Sequence, residues 1–104
     1  MNLSVVIPAK NEAQNLQQFL PRLKAVIGEA ECIVVNDGST DDTQQVCEKN
    51  GVTVISHPYS KGNGAAIKTG AKIASGEIIV FLDGDGQHKP EDIPRLLKEL
   101  ENGY

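Results

Sequence analysis

Ile78-Ile79-Val80-Phe81-Leu82 runs straight into Asp83-Gly84-Asp85-Gly86-Gln87-His88, and Lys89-Pro90-Glu91-Asp92 follows as a helix start. The apolar run has strand length and no polar alternation. A strand that is apolar on both faces belongs in a parallel sheet with helices packed on each side. Asp83 and Asp85 are therefore delivered together to the carboxyl end of a buried strand. Whether the fold is α/β depends on the chain supplying more strands of this kind, with helices between them.

It does so upstream. Ser75-Gly76 breaks a helix expected over Ala65 to Ala74, rich in small residues and suited to close packing on a sheet. Before it lies the loop Ser60-Lys61-Gly62-Asn63-Gly64, and before that a third strand, Val52 to Ser56. Gly51 ends a second helix that is entered through Asp37-Gly38-Ser39-Thr40-Asp41-Asp42, with Ser39, Thr40 or Asp41 as its cap. Glu31 to Asn36 is the second strand. Leu16, Phe19, Leu20, Leu23 and Ile27 recur at helical spacing on the first helix, opened by Asn11 and Glu12 and stopped at Gly28. Leu3 to Ile7 is a first strand, closed by Pro8. Downstream, Ile93, Leu96, Leu97 and Leu100 give a last helix its apolar face, with Pro90 near its first position.

Strand and helix thus alternate throughout, which predicts an α/β fold: a Rossmann-like three-layer α/β/α sandwich around a mainly parallel sheet. Right-handed crossovers and doubly wound connectivity give the strand order 3-2-1-4. The reversal then lies between strands 1 and 4, and ligands bind at such a switch point, outside the carboxyl ends of the strands. Pro8 to Glu12 leaves strand 1, Asp37 leaves strand 2 and Asp83 to Gln87 leaves strand 4. Three polar clusters converge on one crevice.

The 104 residues favour one domain, and 39% hydrophobic with 23% charged residues is a globular composition. A net charge of −4, with Lys and Arg scattered singly, argues against nucleic acid as a partner and against a polybasic membrane patch. Cys32 and Cys47 form no CxxC and no zinc spacing; they read as small core residues of a protein from a reducing compartment. No apolar run reaches the roughly 18 residues of a membrane span, and Met1-Asn2-Leu3-Ser4 lacks the marks of a signal peptide. A cytoplasmic location, or the cytoplasmic face of a membrane, is expected.

In extended chain, residues two apart point to the same side. Asp83 and Asp85 would repel unless a cation lay between them, and Mg²⁺ or Mn²⁺, held by carboxylates, substrate phosphates and water, suits the pair. Gln87 repeats the step with a neutral oxygen, while Gly84 and Gly86 leave room for a ligand. The plain alternative is a solvated Asp-Gly turn. Asp37 can accept from a nucleobase N–H or a ribose hydroxyl, or serve as an Asx turn, as Asp41 and Asp42 are expected to do. Glu12 can meet a ribose hydroxyl or favour the helix N-terminus. Lys61 can approach a phosphate or remain solvated, and Lys10 reads as solvated. His88 can be a metal ligand, an acceptor-side contact or a surface residue. His57, before Pro58, reads as a turn residue. Gly62-Asn63-Gly64 is only part of a dinucleotide fingerprint, because Ile67 stands where the third glycine belongs and the motif does not follow strand 1.

With those residues in place, the chain resembles family 2 glycosyltransferases of the GT-A fold, especially the branch acting on dolichol and undecaprenyl phosphates. The resemblance is carried by Val5-Val6-Ile7-Pro8-Ala9-Lys10-Asn11-Glu12, Ile33-Val34-Val35-Asn36-Asp37-Gly38-Ser39-Thr40-Asp41, Lys61-Gly62-Asn63-Gly64-Ala65-Ala66 and Gly76-Glu77 through His88. It implies that Pro8, Ala9 and Glu12 line a nucleoside pocket, with Glu12 on the ribose. It implies that Val35 and Asp37 contact the base and that Gly84 lies against the donor. Asp83, Asp85 and Gln87 take the metal positions, with Asp83 and Asp85 as the catalytic pair. Lys10 departs from an aromatic residue found in some relatives. The implied reaction is inverting sugar transfer from a UDP- or GDP-sugar to a polyprenyl phosphate or a saccharide, with Mg²⁺ or Mn²⁺ as cofactor.

Family domains run to roughly double this length, so residues 1–104 are expected to be a single nucleotide-sugar-binding unit without the acceptor half. In the order 3-2-1-4 the apolar strand 4 lies at an edge, which predicts self-association there or pairing with a missing segment. Two other readings compete with an enzyme: a nucleotide-sugar-binding fragment without turnover, and a non-catalytic α/β interaction module. A nucleotidyltransferase would bring a basic, glycine-rich loop after strand 1, and Pro8 to Glu12 is not one.

Overall fold

The structure, a computed structural model, describes residues 2–82, 90–95 and 98. Its elements alternate as β1 (Leu3–Ala9), α1 (Ala13–Ile27), β2 (Glu31–Asp37), α2 (Thr43–Lys49), β3 (Thr53–His57), α3 (Asn63–Ile73) and β4 (Ile78–Phe81), followed by a 3-10 turn at Pro90–Asp92. The four strands form one sheet in the order β3-β2-β1-β4, with every pairing parallel. The expected order and the three layers are both found.

Side chains on alternate strand positions define the two faces. Val5, Ile7, Ala9, Cys32 and Val34 face α1, whose Leu16, Phe19, Leu20 and Leu23 are buried against them together with Cys47 of α2. Val6, Ile33 and Val35 face α3 through Ala66. Helix α3 lies close because Gly70 permits it: a Cβ there would stand 2.3 Å from Val6 Cγ1. The larger core lies on the α1 side, and Ile93 and Leu82 extend it.

Strand β1 continues through Pro8 to Ala9, beyond the expected stop at Ile7. The reason lies in the pattern of the ladder. Val6 O accepts from Leu82 N–H at 3.0 Å and Asn2 O accepts from Ile78 N–H at 3.1 Å, so even-numbered residues of β1 face β4. Pro8 faces the same side beyond the last β4 pairing at Val6↔Phe81, and its missing N–H costs no ladder bond. Pro21, which the periodicity does not reveal, sits inside α1 on the exposed side. Helix α3 starts at Asn63, two residues before the expected Ala65, because Gly62 at φ 100° breaks the preceding chain. Leu96, Leu97 and Leu100 lie outside the described residues, so the face of the last helix is seen only in part. No described helix is long and apolar enough to cross a membrane.

Candidate active site

The β1–α1 turn and the β2–α2 loop are stapled together at the carboxyl end of the sheet. Asn11 takes φ 55°, a left-handed conformation that asparagine tolerates better than most residues. Its N–H donates to Ser39 Oγ at 2.9 Å, and its Oδ1 accepts from Thr40 N–H at 2.8 Å. Glu12 N–H donates to Thr43 Oγ1 at 3.2 Å and Ala13 N–H to Asp41 Oδ2 at 3.2 Å. Helix α1 has no side-chain cap of its own. The N–H of its first residue is satisfied by Asp41 of the other loop, and that of its N-cap Glu12 by Thr43 at the start of α2, which ties the end of β1 to the end of β2. Asp41 also accepts from Thr43 N–H, two residues on, at 3.0 Å, an Asx turn. The N-cap position of α2 falls on Asp42, which makes no side-chain cap bond, and not on Ser39, Thr40 or Asp41 as expected.

Asp37 ends β2, buried with its side chain toward α3 and the loop before it. Its Oδ1 accepts from His57 Nδ1 at 2.8 Å and from Lys61 N–H at 2.8 Å. Its Oδ2 accepts from Gly62 N–H at 2.9 Å and from Ser60 Oγ at 3.0 Å. The acceptor positions of one carboxylate are therefore filled by the protein's own donors. Burial pushes the carboxyl pKa up, but the bonds from His57, Lys61, Gly62 and Ser60 outweigh it and hold the group far below the ordinary carboxylate range. Gly38 completes the arrangement. At φ 70° it passes so close beneath the loop that a Cβ would stand 2.4 Å from Ser60 N.

Pro8, Ala9, Lys10, Asp37, Ser60, Gly62, Asn63 and Ala66 enclose a cleft of about 240 Å³ beside β1. Of the residues singled out in the sequence, the structure brings Pro8, Ala9 and Asp37 into its wall. Lys61 contributes its N–H to Asp37, while its ammonium stands 5.4 Å from the centroid of the exposed Tyr59 ring. Glu12 does not line the cleft; its Oε2 accepts from Asn15 Nδ2 at 2.6 Å. Val35 is fully buried, with its side chain committed to the packing under α3. Asp83, Gly84, Asp85, Gln87 and His88 lie outside the described residues. What is described is the end of their strand: Leu82 N–H donates to Val6 O of β1, just past the last residue of β4. Among the described residues, no three or more His, Cys, Asp or Glu come together as a metal site.

His57 is the residue that the sequence reading misplaces. It is no turn residue but the last residue of β3, paired in register with Asp37 and buried. A parallel partner cannot be read from local sequence, and Pro58 disguised the strand end. Cys32 and Cys47 are free and buried, as expected of core thiols.

Comparison with known proteins agrees with this geometry. The chain is 40% identical to a dolichol-phosphate mannosyltransferase of Pyrococcus furiosus, over 99% of this chain and 31% of that protein. Its fold matches glucosyl-3-phosphoglycerate synthase of Mycobacterium tuberculosis, solved with Mn²⁺, UDP and glucosyl-3-phosphoglycerate. There the TM-score is 0.81 at 30% identity, covering 95% of this chain and 39% of that one. A mannosyltransferase of Pyrobaculum calidifontis, solved with GDP-Man and Mn²⁺, gives a TM-score of 0.74 at 25% identity, covering 81% of this chain and 27% of that one. The chain spans less than half the length of the curated relatives it matches. The family model described as glycosyl transferase family 2 matches residues 4–104, the parallel sheet and its crevice included, and the chain belongs to that family.

Proposed function

We propose that the chain is the nucleotide-binding part of a metal-dependent, inverting glycosyltransferase that moves a sugar from a UDP- or GDP-sugar to a polyprenyl phosphate or a saccharide. The observation that carries this reading is the cleft at the carboxyl ends of β1 and β2. It lies outside the carboxyl ends of a parallel sheet, next to the reversal between β1 and β4, with its Asp37 wall fixed by hydrogen bonds. The relatives that bind UDP and GDP-Man, and the mannosyltransferase named for dolichol phosphate, support the donor and acceptor classes.

In this reading Pro8 and Ala9 pack against the nucleoside, and Glu12 turns from Asn15 to the ribose. Asp37 meets the base where the Ser60 hydroxyl, the most easily rotated of its four donors, gives way to a base N–H. Val35 contributes through its main chain, and Lys61 leaves Tyr59 for the phosphates. Asp83, Asp85 and Gln87 offer hard oxygen donors suited to Mg²⁺ or Mn²⁺, and Gly84 keeps their loop open to the donor. When bound, the metal neutralises the charge that builds on the departing diphosphate. A phosphate acceptor is already ionised near neutral pH and needs no general base.

As a single unit of residues 1–104, the chain takes the donor side of the reaction, and the acceptor side belongs to further sequence. The edge of β4 is offered for pairing with such a segment or with a second copy. The test is incubation of the protein with UDP- and GDP-sugars, Mn²⁺ and polyprenyl phosphate, with release of nucleotide and formation of glycolipid as readouts. Nucleotide-sugar binding is expected of residues 1–104, and turnover is expected once the acceptor-side sequence is joined to them. Binding without turnover selects a nucleotide-sugar-binding unit, and absence of nucleotide binding removes the reading.

A further inference from the structure

His57 is buried between two partners. Its Nδ1 stands 2.8 Å from Asp37 Oδ1 and its Nε2 2.9 Å from Thr69 Oγ1 on α3. The Thr69 hydroxyl also lies 3.0 Å from Ala65 O, and as both donor and acceptor it ties the ring to α3 in either tautomer. An ionised carboxylate accepts only, so Nδ1 carries a proton. The ring is locked by both contacts and lies behind Asp37, on the far side from the open cleft. It does not line the cleft.

We propose that His57 is a positioning residue of the cleft. It orients the Asp37 carboxylate so that the Lys61 and Gly62 N–H groups and the Ser60 hydroxyl are drawn down onto it, which closes the wall formed by Ser60, Gly62 and Asn63. The Oδ1 atom that receives the imidazole also receives Lys61 N–H, so the ring and the loop meet on one oxygen. Gly38 clears the space the loop needs, but offers it no bond from a side chain. Asp37 is thus the bond-making half of the clasp, and His57 with Thr69 fixes its angle from helix α3. The consequence for a ligand rests on the nucleotide reading of the cleft; the clasp itself does not.

The test is amide hydrogen exchange at Lys61 and Gly62 in the intact, nucleotide-free chain, for the parent, His57→Asn, His57→Gln and His57→Phe. Asparagine carries its amide nitrogen near the place of Nδ1, glutamine carries it near the place of Nε2, and phenylalanine fills the volume and donates nothing. Parent-like protection is expected in H57N. Exchange about tenfold faster or more is expected in H57Q and H57F, the worth of one hydrogen bond to a charged group. Amides of β1 report global stability and are expected to move less. Protection that is equal in all three variants, lost in all three alike, or best kept by H57F overturns the proposal.

If the variants do not fold, the imidazole ¹⁵N shifts of the parent decide: a protonated Nδ1 supports the clasp and a bare Nδ1 overturns it. In a second arm the dissociation constants for UDP and GDP are expected to rise in H57Q and to stay near the parent's in H57N. A parent that binds neither nucleotide, but shows the predicted exchange order, removes the nucleotide reading and leaves the clasp standing.

Discussion

Asp37 concentrates the chemistry of the described site in one side chain. It is buried, carries four internal hydrogen bonds and titrates far below the usual carboxylate range. A carboxyl whose folded pKa is depressed stabilises the fold at pH values above its unfolded pKa of about 4, and that contribution is lost as pH falls toward the folded value. Asp37→Ala is therefore expected to cost roughly 3–5 kcal/mol at neutral pH and to flatten the acid limb of a stability–pH curve followed by urea denaturation. It is also expected to weaken UDP and GDP alike, with or without metal. The two thiols give a contrasting prediction. Burial pushes Cys32 up to about 12 and Cys47 up to about 11, so neither is expected to react with a thiol reagent until denaturant is added. Asp37 was legible as a candidate because it ends an apolar strand before a glycine. His57 was not, because its meaning lies in a register with a residue twenty positions away.

At the scale of elements, the β1–α1 turn and the β2–α2 loop act as one unit. Asp41 closes the N-terminus of α1 from outside that helix while serving α2. Asp41→Ala is expected to lower stability by about 1–2 kcal/mol, with the denaturant slope unchanged. The strands and helices themselves were legible, since apolar runs and helical spacing alternate without interruption. Their ends were less so. Pro8 reads locally as a stop, yet the strand passes through it because β4 has already ended. Asn11 and Glu12 read as a local helix start, yet their backbone partners are Ser39 and Thr40 on another loop and Thr43 at the start of α2. Gly70 shows the same limit: nothing local says that Val6 lies against it. Gly70→Ala is expected to cost about 1–3 kcal/mol as α3 is forced away from β1, readable as a lowered thermal midpoint.

For the whole molecule, the order β3-β2-β1-β4 brings residues from three separate connections to one end of the sheet. It also leaves β4 at an edge among the described strands, with Phe81 43% exposed. Sedimentation velocity over a range of concentrations is expected to show self-association that Phe81→Lys reduces, if that edge pairs with a second copy. The strand order was legible because doubly wound connectivity leaves few choices, and the crevice followed from it. The account's central claim is that this crevice binds a nucleotide diphosphate through a divalent ion held by Asp83 and Asp85. Calorimetry of UDP and GDP with the parent and with Asp85→Asn, each with and without Mn²⁺, tests it most directly. The account predicts that Mn²⁺ tightens binding to the parent and that Asp85→Asn loses this increment while retaining the weaker metal-independent binding. Equal enhancement by Mn²⁺ in both proteins, or no binding to the parent, would contradict it.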